Sequence, residues 1–146
     1  MDSWNTQLSR TAKLFESLSD DELQKEVAPG RNTGTYLLGH LIAVHDGVLP
    51  LFGLEEKLYP ELQKPFLESP DKSSLEKPSI PQLRKYWTDV HTVLNNHFSK
   101  MTPANWFEKH NAVSSEDFAK EPHRNKLNVL LNRTNHLSYH YGQIAF

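Results

Sequence analysis

The sequence predicts an all-α protein, a four-helix bundle whose second and third helices run parallel. Four segments place apolar residues at three- and four-residue steps, which is the period of an amphipathic helix. Apolar and polar residues do not alternate over the length of a strand anywhere in the chain. A long stretch rich in proline follows the second segment, and such a crossover lets the second and third helices run parallel. We expect residues 1–146 to form a single domain of this kind.

Local signals predict where the first two helices begin and end. The first apolar stripe spans roughly residues 3–18, and Ser19 to Glu22 after it matches a capping box, which predicts a further short helix. The second long helix is predicted over Thr33–Phe52. It is apolar on more than one side, which is typical of a helix buried on two faces. Pro50 is expected to kink or end it just before the proline.

The other two long helices and their connections are predicted in the same way. The third helix should start at Ser79, with Pro81 in its first turn, and end before a capped turn at Thr102. The fourth is predicted from about residue 125 to residue 145. The crossover at 53–78 is expected to hold one short helical piece at 54–59, and the polar residues 108–123 are predicted to be irregular.

Composition and charge exclude several functions. The net charge is -2 with neutral histidines, so we expect no nucleic-acid partner. The chain has no cysteine, which excludes disulfides, thiolate metal ligands and a cysteine nucleophile. The most apolar stretch contains His40, His45 and Asp46, so no membrane span is expected. The N-terminus lacks the pattern of a signal peptide, and a cytoplasmic location is therefore expected.

Two histidines in the fourth helix carry the clearest chemical signal. His136 and His140 are four residues apart, which places both imidazoles on one helix face about one turn from each other. Two imidazoles at this spacing can hold one metal ion. The competing interpretation is a solvated face, which is the commoner meaning of such a pair. The neighbours on this side favour a cleft or an interface instead, because they carry no charge apart from Arg133 at the edge: Val129, Asn132, Tyr139 and Gln143.

A third histidine ligand would have to come from another helix. His40 and His45 lie in the second helix, His40 at the edge of its apolar stripe and His45 nearer the centre. A single histidine on an apolar face is more often a hydrogen-bonded core residue than a ligand. More than one helix turn separates the two, so they are not expected to bind the same ion, and the residues alone leave the choice open. Four further histidines are interpreted as having no special role: His91, His97, His110 and His123.

Two motifs together resemble the DinB/YfiT-like family. They are the run from Gly39 to His45 and, about ninety residues later, the run from Asn135 to Ile144 that contains both histidines of the pair. The resemblance extends over nearly the whole chain. It implies a four-helix bundle in up-down-down-up order with a divalent metal ion on His40, His136 and His140. Ligation by imidazole alone suits zinc, nickel, copper or iron, of which we expect zinc or nickel. The resemblance also implies a homodimer, and the second helix points the same way because it is apolar over more surface than one core face needs. The family often has arginine after the last histidine, where this chain has Tyr141.

For function, the resemblance implies a class of activity without naming the reaction. Its members include thiol-dependent S-transferases and isomerases that act with low-molecular-weight thiols, and metal hydrolases. We therefore expect a metal-dependent S-transferase or hydrolase that acts on a small electrophilic substrate. His45, Asn135 and Tyr141 are candidates to orient the ligands or to contact the substrate. No carboxylate stands beside the histidines as a general base, which favours a thiolate nucleophile.

Two other functions stay open at the level of sequence. The chain could be a non-catalytic bundle that binds a metal or small ligand and acts as a stress-related interaction module. The histidines could also line a dimer interface. An open coordination position facing solvent would favour the enzyme, because catalytic metal sites keep such a position and structural sites do not.

Overall fold

The computed structural model describes residues 1–145, and its long helices lie where the sequence predicts them. They are α1 (Asp2–Ser17), α3 (Gly34–Asp46), α6 (Ile80–Phe98) and α9 (Lys126–Ala145). The shorter helices are α2 (Asp20–Leu23), α4 (Val48–Leu51), α5 (Gln63–Leu67), α7 (Pro103–Trp106) and α8 (Ser115–Lys120), with a 3-10 turn at Pro60–Leu62. No strand occurs within residues 1–145, and the all-α class is confirmed. No helix in the described part of the chain is long and apolar enough to cross a membrane.

Side-chain caps set the starts of most of these helices. Capping boxes are present at Ser19, Ser79 and Thr102, at the starts of α2, α6 and α7. Thr33 caps α3 by accepting a hydrogen bond from the backbone N–H of Tyr36. Each cap satisfies a backbone donor that the first helical turn leaves free. Because a cap involves residues only three apart, these boundaries were predictable from the sequence.

Pro50 interrupts the second predicted helix earlier than expected. The structure ends α3 at Asp46, and a separate turn of helix, α4, carries Pro50. Proline has no backbone N–H and its ring crowds the carbonyl four residues before it. That carbonyl belongs to Asp46, so the helical hydrogen-bond ladder stops there and not directly before the proline.

The helical piece predicted at 54–59 was wrong. Helical structure in the crossover begins later, with the 3-10 turn and α5. The carboxylate of Asp46 explains this, because it accepts the backbone N–H groups of Leu58 and Tyr59 at 2.9 and 2.8 Å and so withdraws them from a helix. The prediction for 108–123 also missed α8, whose start is capped by Ser114 accepting from the N–H of Asp117.

The central position of α3 explains its apolar character. It contacts α6, α9 and also α5 and the 3-10 turn of the crossover. Its apolar residues are covered by the chain's own crossover, so they give no independent argument for a dimer.

The relative direction of α3 and α6 follows from two contacts. Leu38 lines a cavity with Trp87, and His45 is hydrogen-bonded to His91. Residue numbers thus rise together along the two helices, which therefore run parallel. The complete up-down-down-up order stays a prediction.

Candidate metal centre

Three imidazoles from two helices converge on one point. Nε2 of His136 lies 3.2 Å from Nε2 of His40 and 3.0 Å from Nε2 of His140. His40 comes from α3, and the other two come from successive turns of α9. The ligand atoms that these three residues offer all lie within 4.8 Å of one another. The structure thus brings together the three residues that the sequence and the resemblance had singled out.

In two of the three rings, the nitrogen that does not face the centre, Nδ1, makes a hydrogen bond of its own. Nδ1 of His40 lies 2.9 Å from the backbone carbonyl of Phe66, which can only accept, so Nδ1 carries the hydrogen and donates it. Nδ1 of His140 donates to Oε1 of Gln143 at 2.6 Å. With the hydrogen on Nδ1, Nε2 of each ring offers a lone pair to the centre. Partners of this kind fix the tautomer and orientation of metal-binding histidines.

Gly39 allows Phe66 to lie close enough to α3 to contact His40. A Cβ atom at Gly39 would lie 2.3 Å from the ring of Phe66, far inside any real contact distance. Only a residue without a side chain lets this fully buried ring lie against α3. The ring anchors α5, and α5 carries the carbonyl that orients His40. The glycine before the histidine therefore has a packing role in building the centre.

Burial keeps the α9 histidines neutral near pH 7. Burial, together with the neighbouring His140, His40 and Arg133, lowers the pKa of His136 to about 4. Burial also lowers the pKa of His140, while its hydrogen bond to Gln143 opposes that shift. Only a neutral imidazole can bind a metal, so this environment favours the form that binds.

The donor set suits a divalent ion. Two nitrogens bound to one ion at about 2.1 Å, with angles of about 90–110°, lie about 3.0–3.4 Å apart. The measured 3.0 and 3.2 Å fall in that range. The lone pairs of His40 and His140 both face His136, and a single N–H on His136 could satisfy only one of them. A cation between the rings would satisfy all three, and imidazole ligands suit zinc and nickel.

A second, fully internal histidine pair lies beside this centre. Nδ1 of His45 is 2.7 Å from Nε2 of His91, and Nδ1 of His91 is 2.7 Å from the carbonyl of Trp87. His45 is completely buried and packs edge-on against the ring of Trp4 at 5.0 Å. From the sequence, His91 was interpreted as having no special role. Its position four residues after Trp87, inside the apolar stripe of α6, was the signal that it is internal.

The remaining candidates lie at the margin of the centre. Asn135 is exposed, and Tyr141 is half-buried with the guanidinium of Arg10 4.7 Å from its ring. Among residues 1–145, neither makes a hydrogen bond to His40, His136 or His140. Gln143 was noticed only as an uncharged neighbour, yet it contacts a ring directly. The Phe66 carbonyl could not have been found from sequence, because a main-chain group carries no residue signature.

Comparison with known families agrees with this geometry. A model of the DinB superfamily matches residues 3–144. The chain belongs to the DinB superfamily. No curated protein matches it. The superfamily match covers both helices that supply the three histidines, so the centre lies within the part of the chain that defines the family.

Proposed function

We propose that this DinB-superfamily protein binds one divalent metal ion, zinc or nickel, through His40, His136 and His140 and uses it as an enzyme. The proposed activity is thiol transfer or hydrolysis on a small electrophilic substrate. The observation that carries the proposal is the convergence of three Nε2 atoms: that of His136 lies 3.2 Å from that of His40 and 3.0 Å from that of His140. Nδ1 of His40 and Nδ1 of His140 already donate hydrogen bonds to other groups.

The surroundings of the centre support access by a small molecule. His40 and His136 are only partly buried, so a substrate can approach from their side. The hydroxyl of Tyr139 accepts a hydrogen bond from Gln143 at 3.2 Å, and its side chain is 63% exposed. Tyr139 thus lies at the rim, where its hydroxyl can contact a bound substrate. The half-buried Arg133 adds positive charge on the same helix, which favours an anionic nucleophile.

A thiol is the nucleophile that we favour. A divalent ion, when bound, supplies a positive charge that lowers the pKa of a thiol or of water. Among residues 1–145, the group that could hold an ion consists of histidines alone, without a carboxylate. Hydrolysis usually needs a base that takes a proton from water. A low-molecular-weight thiol needs no such base once its pKa is lowered, so we propose it as the cosubstrate.

Metal content tests the first half of the proposal. Protein made without a histidine tag should bind one zinc or nickel ion per chain, measured by elemental analysis after dialysis. His40→Ala should abolish stoichiometric binding, because two imidazoles on one helix hold an ion far more weakly than three. His123→Ala is the matched control, since it removes an exposed histidine from a loop and should leave the stoichiometry unchanged. If His45→Ala abolishes binding and His40→Ala does not, the third ligand is His45.

An activity screen tests the second half. The metal-loaded protein is incubated with glutathione, cysteine or coenzyme A and a chromogenic electrophile, and with ester and amide substrates in parallel. Metal-dependent thioether formation supports the transferase, and metal-dependent ester or amide cleavage supports the hydrolase. Tight metal binding without either activity would favour the alternative, a non-catalytic metal-binding bundle.

A further inference from the structure

Four buried polar atoms belong to α1, α3 and α9, and two of these helices carry the three-histidine centre. They are Gln7 Oε1, His45 Nε2, Arg133 Nε and His136 Nδ1, and none has a hydrogen-bond partner within residues 1–145. We call them the buried polar cluster. A buried polar atom without a partner costs about 1–3 kcal/mol, so several at one place need an explanation.

The surrounding contacts place these atoms at one level of the bundle. Met1 lines a pocket with Leu127 and Leu130, and Arg10 lies over Tyr141, so residue numbers rise together along α1 and α9. Gln7 of α1 is therefore level with the part of α9 that carries Arg133 and His136. His45 is on the same helix as His40, whose Nε2 lies 3.2 Å from Nε2 of His136. Burial and then His91 lower the pKa of His45, and the nearby charges of His136 and Arg133 add to this.

The hydrogen bonds of the internal pair determine the tautomer of His45. The carbonyl of Trp87 can only accept, so His91 Nδ1 carries the hydrogen and His91 Nε2 is an acceptor. His45 Nδ1 must then be the donor of the 2.7 Å bond to His91. Burial lowers the pKa of His91 to about 3 and that of His45 well below its ordinary value, so both rings are neutral. His45 Nε2 is consequently a lone pair.

His136 presents the complementary group. Its Nε2 faces His40 and His140 at the centre, so when Nε2 binds an ion the ring hydrogen must be on Nδ1. Arg133 Nε always carries a hydrogen. The buried polar cluster thus contains two donors, on His136 and Arg133, and two acceptors, on His45 and Gln7. Its donors and acceptors match in number.

We propose that His45 is a positioning residue for the metal centre: its Nε2 accepts a hydrogen bond from one buried water, and that water accepts the Nδ1 hydrogen of His136. This inference rests on the proposed function, because it takes His136 to be a ligand. His40 donates its ring hydrogen to Phe66, and His140 donates its own to Gln143. His45 gives His136 the equivalent partner, and His91 keeps His45 in the tautomer that can accept.

Zinc affinity of folded variants tests the role of this acceptor. Competition with a chromophoric chelator at pH 7.5 should give a roughly 10- to 100-fold weaker zinc affinity for His45→Phe, the usual cost of losing a partner of a ligand histidine. His45→Gln keeps an oxygen acceptor near the same place and should recover most of that loss. Val90→Ala is the control, because it opens a cavity one residue from His91 and should lower stability while zinc affinity stays within twofold.

The imidazole nitrogens give a second readout that needs no variant. In the zinc-loaded wild type, ¹⁵N spectra of the histidine rings should show the hydrogen on Nδ1 of His45, His91 and His136. A hydrogen on Nε2 of His45 would overturn the proposal. So would a wild-type zinc affinity in folded His45→Phe, or an equal loss in Arg133→Met, which would make Arg133 the partner of His45. A wild type that binds no zinc would overturn the proposed function and this inference with it.

Discussion

His40, His136 and His140 differ from the other histidines by the orientation of their Nε2 atoms towards one shared point. Each ring has two nitrogens, and the protein uses Nδ1 of His40 and His140 for support from Phe66 and Gln143. The half-buried His97 instead pairs with the carboxylate of Glu55 at 2.6 Å, an ordinary contact near the protein surface. At the scale of single residues, a hydrogen bond at Nδ1 that leaves Nε2 facing the centre therefore distinguishes these candidate ligands from a surface histidine.

Metal binding should depend on pH through these rings. Protons compete with the ion for Nε2, and burial lowers the pKa of His136 to about 4 and also lowers that of His140. We expect full occupancy at pH 7 and its loss between about pH 6 and pH 4. Elemental analysis after equilibration in metal-buffered solutions measures this. Full occupancy at pH 4 would contradict a centre built from histidines alone.

The internal histidine pair should make the metal-free protein sensitive to acid. The pKa of His91 is about 3 in the folded state and near 6.5 when unfolded, so the unfolded state binds more protons below pH 6.5. This contribution is fully present above pH 6.5 and decreases as the pH falls towards 3. Its slope reaches about 1.4 kcal/mol per pH unit for one proton.

Urea unfolding of the metal-free protein between pH 6.5 and pH 5 measures that slope above the range in which most carboxylates titrate. His91→Gln keeps an acceptor for His45 but removes the titrating group, so its unfolding free energy should fall less steeply with acid. Equal slopes in the wild type and in His91→Gln would exclude His91 as the source.

At the scale of elements, close approach between α3 and α5 builds one side of the centre. Gly39 permits this approach, because the ring of Phe66 occupies the place where a Cβ atom would stand. The second element, α9, contributes its pair without help from other helices, since one turn separates His136 from His140. The centre thus depends on one local arrangement and on one contact between distant segments.

Gly39→Ala tests the importance of the α3–α5 contact. The added methyl overlaps the buried ring, and we expect a loss of about 1–3 kcal/mol in the unfolding free energy. Zinc affinity should fall as well, because the Phe66 carbonyl moves away from His40. Gly142→Ala is the matched control: within residues 1–145 its Cβ would meet no atom within 4 Å. Helix propensity predicts that Gly142→Ala raises stability by about 0.5–1 kcal/mol. Chemical denaturation of both variants makes the comparison.

At the scale of the whole molecule, the core draws residues from all four long helices. Trp4, Leu41, Leu94 and Leu137 are examples, each at most 2% exposed. A shared core supports the proposal that residues 1–146 are one domain. The proposed small-molecule substrate and cytoplasmic location require no further interaction surface on the protein. A homodimer would require an exposed apolar surface, and α3 does not provide one.

We predict a homodimer from the family resemblance, with an interface away from the metal centre. Exposed apolar side chains at Phe107 and Leu131 offer a surface on α9 and the segment after α7. Sedimentation equilibrium at micromolar concentration should therefore give twice the mass of the chain. Leu131→Lys should shift the equilibrium towards the monomer without changing zinc affinity. A wild type that sediments as a monomer at this concentration would contradict the prediction.

The amino-acid sequence was enough to predict the four long helices, most of their starts and the His136–His140 pair. All of these depend on residues three or four positions apart, where hydrogen bonds and helical periodicity act locally. Periodicity and spacing left His40 and His45 open, and the packing of the helices brings His40 to that pair, since about ninety positions separate both residues from it. That packing also decided the Phe66 support and the internal His45–His91 bond. Such contacts depend on how helices pack and in what register, which no local pattern encodes.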